Sequence, residues 1–272
     1  MIELLDLHFL SYGFMQKALL GGFAIALCCG LLGPFLVLRK LSLLGDGLAH
    51  LAFGGVALGL LFGINPLISA LITVIIGSFW VKSLVKKNVY GDAAIALLLS
   101  LGVGLGIVVI GIVRGFNTNL YSYLIGSILA LSVVDIILAF ALLFAAVMFL
   151  IFFYKDMLHL TFNEELALLS RKNVNLANVL FTILVAMIVV ISIRAVGILL
   201  VSALLVIPTL ISLNLSKSFK HTLIISSVSS VIAMIAGIII SYIIDIPPSG
   251  SIVLLLFLGF FATYFINIKY IL

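Results

Sequence analysis

Residues 131–153 read LSVVDIILAFALLFAAVMFLIFF and contain a single charged side chain, Asp135. A helix of about 20 apolar residues crosses the hydrocarbon core of a bilayer, and this stretch has that length and that composition. Comparable apolar segments follow one another along the chain, joined by short polar connections. We expect membrane-spanning helices near residues 13–37, 41–63, 66–84, 92–113, 131–153, 174–193, 195–213, 220–243 and 250–268.

The overall composition excludes a water-soluble globule. Of 272 residues, 65% are hydrophobic and 8% are charged, whereas an ordinary soluble domain is about 25% charged. A membrane β-barrel would show short segments of alternating apolar and polar residues, which this sequence lacks. The predicted fold is therefore all-α, a polytopic membrane helix bundle of about eight or nine transmembrane helices. We expect one transmembrane domain over residues 1–272, because no Pro- or Ser-rich linker divides the chain.

The distribution of basic residues predicts the orientation. If nine spans alternate, one side of the membrane receives 11 basic residues and the other receives three, namely Lys17, Arg114 and Arg194. The basic side is expected to be the cytoplasm, which places the N-terminus outside and the C-terminus inside. The net charge of +5 is then a topology signal and not a sign of nucleic-acid binding. The 11 residues are Arg39, Lys40, Lys82, Lys86, Lys87, Lys155, Arg171, Lys172, Lys217, Lys220 and Lys269.

Two ionisable residues, Asp46 and His50, lie inside a predicted span and not at its end. A charge within the membrane is costly, so such a residue is a candidate functional site. At a spacing of i and i+4 both side chains project from one helix face. A carboxylate and an imidazole are natural ligands for a divalent cation such as zinc, which prefers four ligands. A homodimer would supply two of each; alternatives are a hydrogen-bonded pair that only stabilises the bundle, or a proton relay in a secondary carrier.

Glycines accompany this pair. Gly54 continues the face of Asp46 and His50, and Gly55, Gly59 and Gly63 form a ridge of small residues beside it. Small residues let a second helix approach closely in a membrane. We expect this ridge to admit a second copy of the chain beside the Asp46/His50 face.

Two pieces outside the spans are long enough to carry function. Residues 114–130 lie on the outer side and are expected to hold a short surface helix. Residues 153–174 lie on the cytoplasmic side, where Thr161 or Asn163 could cap a short helix that has acidic residues in its first turn. Phe162, Leu166 and Leu169 fall on one face of that helix. It either lies on the membrane surface or docks into a cytoplasmic partner.

Enzymatic motifs are absent from the sequence. No GxxxxGK[ST] occurs, so the chain has no P-loop for ATP, and no HExxH or GxSxG occurs either. An intramembrane aspartyl protease is disfavoured because Leu43 stands where its GxGD motif needs glycine. We expect a transporter component without an ATP site of its own, and no covalently bound cofactor.

Four stretches read as motifs: RKLSLLGDGLAHLAFGGVALG at 39–59, YLIGSILALS at 123–132, GILLVSALLVIP at 197–208 and DIPPSGSIVL at 245–254. In this order they resemble the membrane permeases of bacterial ABC importers for zinc, manganese and iron. The resemblance extends over essentially the whole chain. The first stretch looks like the Gly-Asp-x-x-x-His signature of that family after a basic pair.

The resemblance implies an assembly in the bacterial cytoplasmic membrane. It comprises a homodimer of this permease, two cytoplasmic ATPase subunits and an extracytoplasmic metal-binding protein that delivers the cargo. Alternating access would move the metal through a site formed by Asp46 and His50. The ATPase-docking helix of the family would correspond to residues 162–170, with contacts from Phe162, Asn163, Glu164, Glu165, Leu166 and Ala167.

The sequence departs from the family pattern in ways that bear on detail. Asn163 stands where Asp is common, and Ser170 lies near a usual Gly. The segment around His50 lacks the Leu-Pro-Gly associated with the manganese branch, so the resemblance favours zinc as cargo. Manganese or iron transport by the same family, and a proton-coupled secondary metal carrier, are the alternatives.

Overall fold

The part of the chain that the computed structural model describes contains nine helices. That part comprises residues 11–112, 126, 128, 131–163, 166–167 and 173–271. No strand occurs within it, so the all-α prediction is confirmed. The helices are α1 (Gly13–Leu38), α2 (Leu44–Leu61), α3 (Pro66–Lys86), α4 (Gly91–Ile112), α5 (Val133–Phe162), α6 (Val174–Val196), α7 (Ile198–Leu215), α8 (Phe219–Ile244) and α9 (Pro248–Ile271).

Eight of these helices are long and apolar enough to cross a bilayer, and α7 has the shortest apolar stretch. Nevertheless, α7 has 18 residues, which as a helix extend over about 27 Å. Its first residue follows Gly197, whose backbone contacts Gly126. Near its other end, Asn214 donates a hydrogen bond to Thr263 in the second half of α9. The C-terminal halves of α7 and α9 therefore lie side by side, as the nine-span prediction requires of alternate helices.

Helices α1 and α2 occupy the interior of the bundle. α1 packs against α5, α7 and α8, while α2 packs against α3, α4 and α7. Glycines allow the closest of these approaches: a Cβ added to Gly54 of α2 would lie 2.8 Å from the carbonyl oxygen of Gly102 in α4. The backbones of α2 and α4 are thus in direct contact one turn beyond His50.

Several of the described basic residues, though not Lys17 or Arg194, lie at one end of the molecule, called here the basic end. The C-terminal ends of α1 and α3, which carry Arg39 and Lys82, meet the N-terminal ends of α4 and α6 there. Phe35 near the end of α1 contacts Phe219 at the start of α8, which brings Lys220 to the same end. The predicted grouping of charges is present in the fold; which side of the membrane this end faces stays a prediction.

Two helix boundaries differ from those predicted. α5 does not stop near residue 153 but continues to Phe162. Its last turns keep an apolar side, because Met157 and Leu160 are buried, although the charged residues among them lower the hydropathy. α2 begins at Leu44 and not at Leu41, because Lys40 has a left-handed backbone (φ 58°) that separates α1 from α2.

Candidate metal site and coupling segment

Asp46 and His50 lie one turn apart near the start of α2, as predicted. Asp46 is in the first turn, where the positive end of the helix dipole favours a carboxylate. The Nε2 atom of His50 lies 3.8 Å from Oδ1 of Asp46, and the side chains are 23% and 30% exposed, respectively. That distance is too long for a hydrogen bond. The two groups face the same space without bonding to each other.

The glycines on either side of Asp46 explain why this face stays open. Gly45 packs against Leu205 of α7, and Gly47 packs against Ile95 of α4. Both neighbouring helices therefore approach α2 closely at small residues, while the carboxylate of Asp46 emerges between them. The bundle thus leaves the acid and the imidazole accessible from outside a single chain.

Within the described part of the chain, Asp46 and His50 form a pair of candidate ligands without a third. Among the residues that the structure describes, no cluster of three or more His, Cys, Asp or Glu side chains could hold a metal ion. Two ligand atoms each about 2.1 Å from a tetrahedral metal lie about 3.4 Å apart. The observed separation of 3.8 Å is close to that value, so a small side-chain adjustment would let both groups bind one cation.

The predicted role of the glycine ridge is wrong. Gly55 packs against Ala70 and Thr73 of α3, and Gly59 packs against Pro66 and Ser69 of the same helix. Gly54 is covered by α4. These glycines admit neighbouring helices of their own chain, so they are not a surface for a second copy. Gly63 has a positive φ of 67° and ends α2, since the amide of Ile64 returns to the carbonyl of Gly59 at 2.9 Å.

The predicted coupling segment is described in part. Asn163 caps a new turn, because its Oδ1 accepts a hydrogen bond from the Leu166 amide at 3.1 Å; this confirms one of the two predicted N-caps. Thr161 instead lies within α5, where its hydroxyl donates to the carbonyl of Met157 at 2.7 Å. Glu164, Glu165 and residues 168–172, including Leu169, lie outside the described residues, as do most of residues 114–130.

Phe162 is the last residue of α5, so the prediction that it begins the docking helix is wrong. The extended backbone of Asn163 (φ −154°) separates Phe162 from Leu166, and the two do not share one helix face. Both side chains are exposed, by 68% and 62%, whereas Ala167 is 2% exposed. Ala167 anchors the segment, and the two large apolar side chains remain available.

A chain of aromatic contacts, which the sequence did not reveal, joins this segment to the end of α1. The ring of Phe162 lies 6.1 Å from that of Phe219, and Phe219 lies 5.0 Å from Phe35. Phe35 in turn lies 6.1 Å from Phe181 of α6. Such edge-to-face pairs are favourable beyond their buried area. Their residues are far apart in sequence, so only the abundance of Phe near the predicted span ends could have hinted at the cluster.

A second acid–base pair, also missed, lies at the opposite end of the bundle. Nη1 of Arg194 in α6 donates to Oδ1 of Asp135 in α5 at 2.8 Å. Asp135 also accepts hydrogen bonds from the amide and hydroxyl of Ser132, at 2.9 and 2.6 Å. The Ser-x-x-Asp spacing at the start of a span is the recognisable signal of this capping box.

Known proteins share this sequence and this architecture. Residues 11–267 match the ABC 3 transport family. A probable metal transport system membrane protein of Thermotoga maritima is 30% identical, with 92% of this chain and 89% of the relative aligned. The manganese transport system membrane protein MntC of Halalkalibacterium halodurans is 31% identical, over 96% of this chain and 89% of that protein.

Two further comparisons agree. The manganese import system permease protein ScaB of Streptococcus gordonii is 31% identical, over 95% of this chain and 93% of that protein. A solved structure, PsaBC from Streptococcus pneumoniae in complex with Fab, superposes with a TM-score of 0.85 and 28% identity, covering 97% of this chain and 95% of its own. The chain belongs to the ABC 3 transport family, as a multi-pass membrane permease of a metal ABC importer and not an enzyme.

Proposed function

We propose that Asp46 and His50 form the transient binding site for a divalent transition-metal cation on its way through the membrane. The observation that carries this proposal is the pair itself. A carboxylate and an imidazole lie 3.8 Å apart, partly exposed, near the start of an otherwise apolar helix. A site for a transported ion must replace part of the hydration shell and still release the ion. Two or four oxygen and nitrogen ligands suit that requirement.

A second copy of the chain would complete the ligand set. The described residues offer no third ligand beside Asp46 and His50, whereas two copies facing each other would supply two carboxylates and two imidazoles. Since α3 and α4 cover the glycine ridge, the second copy would approach the open face between α4 and α7. The proposed transporter is therefore a homodimer whose metal site lies on its two-fold axis.

ATP hydrolysis would be supplied by two separate cytoplasmic ATPase subunits, because the sequence has no P-loop. Their docking point is proposed at the segment that follows Asn163. Phe162, Leu166 and the acidic pair Glu164 and Glu165 would contact them, with Ala167 anchoring the segment. An extracytoplasmic metal-binding protein would deliver the cargo at the opposite end of the bundle, and alternating access would carry the metal inward.

The names of two relatives, MntC and ScaB, state manganese transport or import, which supports manganese as the cargo. Zinc is the second candidate, because the segment around His50 lacks Leu-Pro-Gly. Carboxylate and imidazole ligands accept both metals, and affinity order alone does not choose between them.

Metal uptake into vesicles that hold the full complex tests the site. Asp46→Ala and His50→Ala should each reduce uptake about 100-fold or more, because each removes two ligands from the dimer, and loss of a group that merely supports a ligand already costs about 10- to 100-fold. Asp46→Asn should also fail, since a neutral amide is a poor ligand and leaves the cation's charge unbalanced. His221→Ala removes an exposed imidazole at the start of α8 and serves as the matched control.

Wild-type uptake in the Asp46 and His50 variants would refute the site. Competition between manganese and zinc in the same vesicles assigns the cargo separately. Uptake that needs a pH gradient and no ATP would instead support the proton-coupled carrier.

The coupling proposal has its own experiment. Leu166→Pro should break the turn that Asn163 caps, because proline lacks the amide that donates to Oδ1 of Asn163. We expect metal-stimulated ATP hydrolysis and uptake to be lost while the permease still inserts in the membrane. The control is Leu166→Ala, which keeps the backbone amide that donates to Asn163. If the proline variant transports at the wild-type rate, this segment does not couple the ATPase to the permease.

A further inference from the structure

A proline interrupts α1 one turn before the helix ends. Pro34 lies inside the helix, is buried, and is followed by the final residues up to Leu38. Because proline has no amide hydrogen, the carbonyl of Gly30 lacks the donor that residue 34 would otherwise supply. Sharp bends in helices occur at proline for this reason. The last turn of α1 is therefore attached to the rest of the helix at a point of reduced stiffness.

The same part of α1 borders a hydroxyl that lacks a partner. Gly30 packs against the backbone of Ser227 in α8. The hydroxyl of Ser227 is buried, and no described group forms a hydrogen bond with it. A hydroxyl buried in this way costs free energy, and a shift of α1 that offered it the carbonyl of Gly30 would recover that cost. Hydrogen bonding thus favours a second arrangement of α1 close to the observed one.

The five residues between α1 and α2 form a stiff connection. The amide of Leu41 donates to the carbonyl of Leu36 at 2.9 Å, and Lys40 between them has a left-handed backbone, which together make a Schellman motif at the end of α1. The carbonyl of Leu41 accepts a hydrogen bond from the amide of Leu44 at 2.9 Å, where α2 begins. We call residues 35–46 the elbow. Its hydrogen bonds let it move as one piece, and it ends on the acid of the candidate metal site.

The start of the elbow contacts the coupling segment through one aromatic ring. Phe35, the first residue of the elbow, is 0% exposed, and its ring lies 5.0 Å from that of Phe219. The ring of Phe219 lies 6.1 Å from that of Phe162, which directly precedes the Asn163 cap. Close-packed side chains transmit displacement to their neighbours. A movement of the coupling segment therefore reaches the residue that follows Pro34.

The other end of the elbow packs against α7. The backbone carbonyl of Leu205 contacts Gly33, just before the elbow, and the side chain of Leu205 contacts Gly45, next to Asp46. Leu205 is itself buried, at 2% exposure. It therefore fills the angle between α1 and α2, and a bend at Pro34 changes how its side chain packs beside the carboxylate.

We propose that α1 bends at Pro34 during transport and that this bending moves Asp46. Movement of the coupling segment reaches the elbow through the ring of Phe219, and the elbow carries the carboxylate between two positions. This hinge rests on the proposed function, since Asp46 is taken as a metal ligand and the segment after Asn163 as the docking point of the ATPase subunits. Pro34 and Phe219 are positioning residues, because neither belongs to the ligand pair.

Pro34→Ala tests the hinge in vesicles that hold the full complex. Alanine supplies the missing amide and favours a helix, so the melting temperature of the permease should equal or exceed that of the wild type. Uptake at saturating metal should nevertheless fall about tenfold, because bending must then break one more backbone hydrogen bond. The metal concentration for half-maximal uptake should stay close to that of the wild type, since both ligands remain.

Pro208→Ala is the matched control for this variant. Pro208 is the proline inside α7, and its replacement supplies an amide in the same way, in a helix that carries no proposed ligand. Uptake should remain close to the wild-type rate. Wild-type uptake by Pro34→Ala, equal slowing in both proline variants, or slowing of Pro34→Ala only in proportion to a loss of folded protein would overturn the hinge.

Phe219→Ala tests the contact between the coupling segment and the elbow. ATP hydrolysis should continue, while the number of metal ions imported per ATP hydrolysed should fall several-fold; Phe219→Tyr keeps the ring and should restore it. Phe260→Ala removes a ring of α9 that stacks on Tyr264, away from the elbow, and should leave this ratio unchanged. A wild-type ratio in Phe219→Ala would overturn the route through this ring. Failure of the proposed function would show separately, as wild-type uptake by Asp46→Ala.

Discussion

The molecule contains two acid–base pairs, and they differ in almost every physical respect. Asp135 and Arg194 come from different helices, lie 2.8 Å apart, and Asp135 has two further hydrogen bonds from Ser132. Asp46 and His50 come from one helix and lie 3.8 Å apart. Among the described residues, no other group bonds to the Asp46 carboxylate or the His50 ring. The first pair is satisfied within the chain, whereas the second is left to be satisfied by something else.

Whether an acid–base pair is hydrogen-bonded within the chain distinguishes a stabilising pair from a candidate ligand pair better than the residue types do. A buried carboxylate normally has hydrogen-bond partners, since an unpartnered polar group costs free energy. Asp135, at 6% side-chain exposure, follows that rule and fixes α5 to α6. Asp46, at 30% side-chain exposure, is not buried, and among the described residues the ionisable side chain that it approaches is the His50 imidazole, 3.8 Å away and beyond hydrogen-bond distance. A pair that is geometrically ready but unbonded is typical of a ligand site.

The largest expected difference between the pairs is their response to metal. Manganese at a concentration 100-fold above its dissociation constant should stabilise a protein that binds it only when folded by about 2.7 kcal/mol. We expect this stabilisation for the wild type and not for Asp46→Asn or His50→Ala. Cys28 and Cys29 are buried, so a thiol-reactive fluorophore should report thermal unfolding of the purified permease.

Arg194→Gln is the control for that measurement. It breaks the other pair and should lower the baseline stability, yet the rise in melting temperature with manganese should persist. If manganese stabilises Asp46→Asn as much as the wild type, the distinction between the pairs fails. Zinc in place of manganese repeats the comparison for the second candidate cargo.

A smaller effect, a loss of stability, is expected when the Asp135–Arg194 pair is broken in the absence of metal. Asp135→Asn should destabilise the permease by about 2 kcal/mol, because it removes the charge from a buried, multiply hydrogen-bonded group. The exposed side of Arg194 (43%) keeps the loss below that of a fully buried pair. Unfolding of purified variants measures this loss. Uptake per folded molecule should remain close to that of the wild type.

A double-mutant cycle sharpens the same point. Asp135→Asn and Arg194→Gln combined should cost less than the sum of the single changes, since the partners interact directly. Additive losses would show that the 2.8 Å contact contributes little to stability. The corresponding cycle for Asp46 and His50 should show almost no coupling in stability without metal.

Two features were predicted best from the sequence: the positions of the helices, and the shared helix face of Asp46 and His50. Those depend on local composition and on spacing within one helix, which a single sequence contains. It also predicted the cap at Asn163, which involves residues three apart. By contrast, the glycines of α2 indicate only that something approaches closely; that α3 and α4 fill the space depends on how the chain folds back.

The remaining misses have the same origin. Asp135 and Arg194 are 59 residues apart, and the rings of Phe162, Phe219 and Phe35 come from three different helices, so neither feature has a local signature. The extension of α5 to Phe162 was missed for another reason. Hydropathy reports where a helix is apolar all round, while the last turns of α5 are apolar only on the side of Met157 and Leu160.

The smallest expected effect concerns the helix cap that supports the satisfied pair. Ser132 accepts a hydrogen bond from the amide of Asp135 and donates its hydroxyl to the Asp135 carboxylate, so it both begins α5 and holds Asp135 toward Arg194. Ser132→Ala should cost about 1 kcal/mol, the usual loss for an N-cap serine. Ser229→Ala is a matched control, since its hydroxyl bonds only to a carbonyl within α8, and it should change stability far less. In Asp135→Asn the penalty of Ser132→Ala should shrink, because the carboxylate that accepts the hydroxyl is then gone. A full, undiminished loss in that background would mean that Ser132 acts on the helix end alone and does not support the ion pair.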